Sequence, residues 1–229
     1  MYAIGFDAKS AVPLNLMVSF VTLAFSMAVR SHALSVAAIL PYLPEVIGLA
    51  AGGIVSAFYG ARLVQGLTNR RLVQTIAVLL GAIGALMLVE VARPFEYGHM
   101  LPASPEIHVA AGFAIGIGIG LVSSMLGVAG GELLIPTLMF VFGADIRTAG
   151  SASILISLGV VSTGVWCYWR LGTVPTGGGV RRITGAMAAG SIIGAVIGGL
   201  AVAYAPVPFI KALLGCVLIV AAGKTFARR

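Results

Sequence analysis

Charged side chains are scarce in this chain. Only 9% of its 229 residues are Asp, Glu, Lys or Arg, whereas 59% are hydrophobic and the mean hydropathy is +1.08. Average soluble domains carry about 25% charged residues. A core surrounded by water needs far less apolar surface than this chain has, whereas lipid accommodates the excess. The composition therefore predicts an integral membrane protein with the lipid bilayer as its main partner.

Cysteine and histidine are also rare. Cys167 and Cys216 both lie inside apolar runs, with neither a metal-ligand spacing nor a disulfide framework. The histidines, which we assign to loops, stand apart from one another: they are His32, His99 and His108. No nucleotide-binding loop and no Ser/His/Asp set is visible in the sequence. We therefore expect no metal ion, no cofactor and no enzymatic activity.

The net charge of +7 is a feature that nucleic-acid-binding proteins share. Here, however, most basic residues stand at the ends of apolar runs, as Arg70, Arg71, Arg181 and Arg182 do. Charges in such places set membrane topology and meet lipid headgroups. Because no basic segment is interleaved with aromatic residues, we expect no nucleic-acid partner.

Seven apolar runs are long enough to cross the hydrocarbon core, for which about 20 helical residues suffice. They cover residues 11–29, 44–66, 71–92, 109–127, 149–169, 183–204 and 208–226. A shorter apolar stretch extends from Gly127 to Phe142 and contains a glycine cluster and Pro136. These residues predict a broken helix or a re-entrant segment. The expected fold class is all-α, a polytopic transmembrane helical bundle.

The sequence resembles itself after a shift of 138 positions. Gly5-Phe-Asp7 falls on Gly143-Ala-Asp145, and Ala50-Ala-Gly52 falls on Ala188-Ala-Gly190. Matches at one offset in separate places indicate a duplication. We predict repeat one at 1–92, a connector at 93–108 and repeat two at 109–229, with the re-entrant segment near the start of repeat two. The bias of basic residues reverses between the copies, which is typical of inverted repeats.

The first copy has no counterpart of the run from 109 to 142. We therefore expect repeat one to lack its first helix. Two glycine series with a spacing of four, at 112–120 and 190–198, predict faces of helix–helix contact.

The glycine-rich stretch is the best candidate for a binding site. If a half-helix begins at Glu132, the backbone N–H groups of Gly127, Gly130 and Gly131 can hold an anion. The alternative is tight packing by small residues. Glu132 itself suits a proton carrier or a cavity wall, although a first-turn acid favoured by the helix dipole is the competing interpretation.

Hydroxyl and amide side chains complete this candidate site. Ser151, Ser153 and Ser157 lie near the start of one run, and Asn15 and Ser19 occupy the positions of Ser153 and Ser157 in repeat one. Such groups can donate hydrogen bonds to an anionic oxygen. Hydroxyls also bond back to helix carbonyls, which is the structural alternative.

Three segments, taken in order, resemble the TauE/SafE sulfite exporter family. They are Gly127-Val-Ala-Gly-Gly-Glu-Leu-Leu-Ile-Pro136, Phe142-Gly-Ala-Asp-Ile-Arg-Thr-Ala-Gly-Ser-Ala-Ser153, and residues 164–172. The resemblance covers repeat two, and it covers repeat one from Gly5 onward, where the glycine-rich first helix is missing. It implies a multi-pass carrier in the bacterial inner membrane that exports small anionic sulfur compounds, such as sulfite or organosulfonates.

An ion or proton gradient would have to drive such a carrier, because no nucleotide site exists. Glu132 is then the candidate for proton coupling. Three alternatives stay open: a passive anion channel or permease, a membrane-embedded enzyme, and a non-transporting membrane subunit that acts within an oligomer. The last of these leaves a homo-oligomer among the expected partners, beside lipid and a small anion.

Overall fold

The structure is a computed structural model that describes residues 8–30, 39–66, 68–92, 104–204 and 206–227. Within these ranges it contains helices and turns and no β-strand. The helices are α1 (Ala8–Arg30), a 3₁₀ turn (Leu40–Tyr42), α2 (Leu43–Gly66), α3 (Asn69–Ala92), α4 (Pro105–Leu126), α5 (Gly131–Phe140), α6 (Ile146–Arg170), α7 (Gly178–Tyr204) and α8 (Val207–Ala227).

Helix starts follow local signals in the sequence. α4 begins at Pro105, where the missing proline N–H leaves no hydrogen bond unmade. Asp145 caps α6, because its carboxylate accepts the backbone N–H groups of Arg147 at 2.9 Å and Thr148 at 3.0 Å. These signals extend the helices a few residues beyond the apolar runs that predict them.

Five helices of the described part are long and apolar enough to cross a membrane. The spans are Ser10–Ala28, Leu40–Arg62, Pro105–Met125, Ile146–Arg170 and Gly178–Gly198. Large apolar side chains face outward along them, including Phe25, Ile47 and Ile193. Lipid tolerates such a surface, since helices satisfy their own backbone hydrogen bonds. The expectation of an all-α polytopic membrane bundle is confirmed.

α2, α4 and α6 run in the same direction and form the centre of the bundle. α2 packs along the whole of α4 and also contacts α6, while the short α5 packs on α6. At one end the Tyr42 hydroxyl donates to the Gly143 carbonyl (3.3 Å), and at the other the Tyr168 hydroxyl donates to the Ser124 carbonyl (3.1 Å). α1 contacts α6 and α7, and α3 packs on α8.

Glycines set the close contact between α2 and α4. A Cβ added to Gly48 would overlap the carbonyl oxygen of Val109, and one added to Gly52 would overlap that of Phe113. From α4, a Cβ at Gly116 would reach the Leu49 carbonyl. Small residues let membrane helices approach through their backbones, so the predicted contact face at 112–120 is confirmed.

The second glycine series behaves differently. A Cβ added at Gly190, Gly194 or Gly198 of α7 would meet no heavy atom within 4 Å among the described residues. Among the described residues this face has no helix partner, so a helix contact along it stays a prediction. The described helix that α7 contacts is α1, and none stands beside α7 as α4 stands beside α2.

Helices that match after the shift of 138 residues begin at equivalent positions of the two copies and run in opposite directions through the bundle. α6 begins 138 residues after α1, and α8 begins 138 residues after α3. The start of α1 and the end of α6 lie at the same end of the bundle, because Asn15 bonds Gly127 and Tyr168 bonds Ser124. The division at 1–92, 93–108 and 109–229 stays a prediction. Residues 93–103 lie outside the described part, and α4 already includes 105–108.

Candidate functional site

A tight turn separates α4 from the half-helix α5. Gly127 ends α4 with a φ of 70°, and Gly130 precedes α5 with a φ of 77°. Both values lie in the left-handed region that glycine adopts without strain. Ser123 ties the turn together, since its carbonyl accepts the Gly127 N–H at 2.9 Å and its hydroxyl donates to the Val128 carbonyl at 2.5 Å. The chain therefore reverses inside the bundle, as the glycine cluster predicts.

Pro136 does not cause this break. It lies buried inside α5, five residues after the helix begins, and α5 continues to Phe140. The glycines alone supply the two left-handed residues that end one helix and start the next. The sequence interpretation that credited both the glycines and Pro136 is correct about the break and wrong about the proline.

Asn15 of α1 holds the turn from the side. Its Nδ2 donates to the Gly127 carbonyl at 2.6 Å, across 112 residues of sequence. α1 also approaches closely there, because a Cβ on Gly127 would lie 2.7 Å from the Val12 carbonyl oxygen. Asn15 therefore lies at the candidate site, where its side-chain amide donates a hydrogen bond to the backbone of the turn.

The start of α5 presents backbone N–H groups that the helix itself does not use. The N–H groups of Leu133 and Leu134 both reach the Gly130 carbonyl, at 3.0 and 2.9 Å. The N–H groups of Gly131 and Glu132 come before the first of these bonds, so the helix itself offers them no acceptor. A Cβ on Gly131 would meet nothing described within 4 Å, so space adjoins it. This is the geometry in which a helix N-terminus binds an anion.

Glu132 lies in the first turn of α5 and is partly buried. Its carboxylate accepts a hydrogen bond from its own backbone N–H. The side chain therefore occupies the favourable position for a negative charge at this helix end. A substrate anion would compete with this carboxylate for the same donors.

The four candidate serines differ in burial and in hydrogen-bond partners. The Ser153 hydroxyl donates to the Gly150 carbonyl of its own helix at 2.8 Å, which is the structural alternative named for it. Ser157 is fully buried, and its hydroxyl has no hydrogen-bond partner among the described residues. Ser19 and Ser151 are partly buried. Ser157 is therefore the serine with an uncommitted donor inside the bundle.

The turn lies toward one end of the bundle rather than at its middle. Gly130 faces Ile119 and Ser123, in the last two turns of α4. Basic and aromatic side chains gather at this end: Arg62 lies over the Phe58 ring at 4.3 Å, and Arg170 lies over the Trp166 ring at 5.0 Å. The Phe58 and Trp166 rings are 6.4 Å apart. Such clusters mark a membrane interface.

An acidic residue and a histidine meet at the opposite end. Glu45 in α2 pairs with His108 in α4. The assignment of His108 to a loop is wrong, because α4 begins at Pro105 and buries most of the imidazole. His32 and His99 lie outside the described residues. A systematic search for ionisable residues within apolar runs would have found Glu45, which stands in the second run.

Asp145 lies beside this end as the cap of α6. Partial burial favours its neutral form, but the hydroxyl and N–H of Thr148 and the N–H and charge of Arg147 outweigh that effect. They hold the pKa of Asp145 below its ordinary value. The side chain is exposed and acts on helix stability. Among the described residues, no three His, Cys, Asp or Glu side chains form a metal-binding group.

Spanning helices and a half-helix that turns back inside the bundle define a polytopic membrane protein with a re-entrant segment. The family model of the sulfite exporter TauE/SafE matches residues 1–225. The chain belongs to this family of membrane transporters, and the resemblance found in the sequence is confirmed. No curated protein and no solved structure matches it.

Proposed function

We propose that the protein is a secondary transporter that exports small anionic sulfur compounds, such as sulfite or organosulfonates. The observation that carries the proposal is the N-terminus of α5, where a Cβ added to Gly131 would meet no described atom within 4 Å, so that its backbone stays open to a ligand. Membership of the TauE/SafE family supports the substrate class.

The chemistry of this site suits an oxyanion that must be released again. Helix N–H groups and a buried hydroxyl stabilise negative charge with dipoles. A fixed arginine would bind a sulfonate group more tightly and in a bidentate manner. Asn15 shapes the turn, Ser157 supplies an uncommitted donor, and Ser19, Ser151 and Ser153 stay members of the proposed site on sequence grounds alone.

The basic end of the bundle indicates an orientation. Arg62 and Arg170 share that end, and the first turns of α3 and α7, which begin at the same end, carry Arg70, Arg71, Arg181 and Arg182. Cytoplasmic loops carry an excess of Lys and Arg. We therefore place the Gly127–Glu132 turn toward the cytoplasm of a bacterial inner membrane, which suits a site that loads its substrate inside the cell.

Transport assays in proteoliposomes test the proposal. The purified chain is reconstituted, and efflux of sulfite, sulfate, thiosulfate and methanesulfonate is measured with and without a pH gradient. We expect sulfite or the sulfonate to move against its gradient when the pH gradient is present and to stop after a protonophore is added. Downhill flux that ignores the protonophore would indicate a passive channel, and no flux of any of these anions would indicate a non-transporting subunit.

Two variants connect the flux to the site. Gly131→Val fills the space beside the helix N-terminus, and we expect at least a tenfold lower flux. Gly185→Val is the matched control, because it also lies in a helix with no described neighbour within 4 Å. For Glu132, replacement by Gln should abolish the pH dependence of flux if this carboxylate carries the proton. An unchanged pH profile would remove Glu132 from that role.

A further inference from the structure

Two exposed arginines at the basic end of the bundle each lie over an aromatic ring of their own helix. The Cζ atom of Arg62 in α2 is 4.3 Å from the centroid of the Phe58 ring. That of Arg170 in α6 is 5.0 Å from the centroid of the Trp166 ring. In both helices the arginine follows its ring by four residues, which is the spacing of neighbours on a helix face. Because α2 and α6 run in the same direction, the two stacked pairs lie side by side.

The two helices are in contact at this level. The Phe58 and Trp166 rings lie 6.4 Å apart, with their planes inclined by 32°. Beside them, the Cys167 thiol of α6 donates to the Phe58 carbonyl of α2 at 3.6 Å. The two pairs therefore form one continuous surface, which we call the arginine–aromatic patch and which consists of Phe58, Arg62, Trp166 and Arg170.

The patch lies at the depth of the lipid headgroups. The spans Leu40–Arg62 and Ile146–Arg170 both end at its arginines. Tryptophan is enriched at this depth, where one side of the ring meets acyl chains and the other meets water. Trp166 and its neighbour Trp169 are 46% and 69% exposed. The described protein therefore leaves this face open to lipid.

The stacked guanidinium groups keep donors for an anion. Among the described residues, neither Arg62 nor Arg170 has a carboxylate or hydrogen-bond partner. A guanidinium that lies over a ring can still present N–H groups at its outer edge. A phosphate accepts such N–H groups in a bidentate manner. Because the ring already restricts the side chain, less freedom is lost when the phosphate binds.

We propose that the arginine–aromatic patch binds the phosphate headgroup of an anionic phospholipid, held between α2 and α6. The two guanidinium groups bind the phosphate, and the Phe58 and Trp166 rings contact the glycerol and the first carbons of the acyl chains. A zwitterionic lipid binds less well, because its ammonium group is repelled by two arginines without carboxylate partners. The proposal does not rest on the proposed transport function.

Quenching of tryptophan fluorescence by brominated lipids tests the proposal, because both tryptophans of the chain, Trp166 and Trp169, lie at this end. Trp169→Phe leaves Trp166 as the reporter within the patch. This chain is reconstituted into phosphatidylcholine bilayers that contain increasing fractions of dibrominated phosphatidylglycerol or dibrominated phosphatidylcholine. We expect the apparent affinity for phosphatidylglycerol to be higher by about fivefold or more, which is the contribution of one arginine at a membrane surface.

Substitution of the arginines distinguishes a site from a diffuse surface charge. In the same background, Arg62→Gln and Arg170→Gln should each lower the preference for phosphatidylglycerol by about threefold or more. Arg182→Gln is the matched control, because Arg182 is exposed in the first turn of α7, at the same end, and lies over no described ring. We expect this variant to keep the preference of the parent.

Two outcomes of this series would overturn the proposal. An equal loss of preference in all three variants would indicate attraction by the whole basic end of the bundle. An unchanged preference in Arg62→Gln and Arg170→Gln, with a lower melting temperature, would indicate that these arginines act on helix stability alone. If one of the two variants does not fold, the other decides by itself.

Inorganic phosphate separates a lipid site from a site for a free anion. The quenching titration is repeated with potassium phosphate in place of potassium chloride at equal ionic strength. We expect the preference for phosphatidylglycerol to persist, since free phosphate lacks the apolar chains that lie against the rings. Loss of the preference in phosphate would contradict the assignment to a lipid.

Discussion

The two left-handed glycines of the turn allow one prediction to be worked out in detail. Replacing either by alanine places a Cβ on a backbone with φ near +70°, which costs about 1–2 kcal/mol. The sites differ in what the new Cβ meets. At Gly130 the nearest atom is the Ser123 Cβ at 3.3 Å, whereas at Gly127 it is the Val12 carbonyl oxygen at 2.7 Å, on the backbone of α1.

We therefore expect Gly127→Ala to be the more harmful substitution. Gly130→Ala should cost roughly 1–2 kcal/mol, because the Ser123 side chain can adjust. Gly127→Ala adds an overlap between backbones, for which overpacking costs of about 1–3 kcal/mol are typical. The total is roughly 2–5 kcal/mol, and the Asn15 hydrogen bond to the Gly127 carbonyl is lost if α1 moves away.

Thermal unfolding in detergent, followed by circular dichroism at a fixed scan rate, measures the difference. For a chain of this size 1 kcal/mol corresponds to roughly 2–4 °C in the apparent melting temperature. Gly190→Ala is the control, since its Cβ meets no described atom and its backbone is an ordinary helix, where alanine is favoured. Equal losses in Gly127→Ala and Gly130→Ala would refute the claim that α1 packs against the turn through its backbone.

Three further substitutions have definite expected outcomes. Asn15→Ala should lower the unfolding free energy by about 1 kcal/mol, through loss of one hydrogen bond, and an unchanged melting temperature would contradict the contact with the turn. Tyr168→Phe should cost about 1–3 kcal/mol, because the Ser124 carbonyl then lies buried without its donor, which thermal unfolding also measures. Asp145→Ala should cost about 1 kcal/mol above pH 5, from the lost cap of α6. Because folding lowers the pKa of Asp145, the loss should shrink as the pH falls below about 4, and Asp145→Asn should keep the cap at every pH.

The spans and the broken helix are the parts of the fold that composition predicts well. Lipid requires runs of about 20 apolar residues, so their limits are visible in the sequence. The break at Gly127 and Gly130 is local as well, since left-handed backbone is a property of single residues. Pro136 shows the limit of such reasoning. Whether a proline ends a helix or lies inside one depends on where the helix begins and ends, and here Pro136 lies inside α5.

The partners of the site are harder to predict because they are distant in sequence. Asn15 and Gly127 are 112 residues apart, and Glu45 and His108 are 63 apart. The repeat suggested Asn15 through its match with Ser153, although it did not indicate that Asn15 would bond the turn. No periodicity or spacing in the sequence connects Glu45 with His108. Each lies near the start of a helix, where a single charged or polar residue is expected at the membrane interface.

The contact between α2 and α4 leaves no layer of side chains between the two helices at Gly48, Gly52 and Gly116. Packed helices slide past one another by small readjustments of interleaved side chains, and at these three positions backbone meets backbone instead. We therefore expect α2 and α4 to move as a single unit, with Glu45 and His108 at one end and the turn at the other. We expect any rocking of the bundle to take place where side chains fill the contact, as they do in the buried cluster that includes Leu16 of α1 and Val161 of α6.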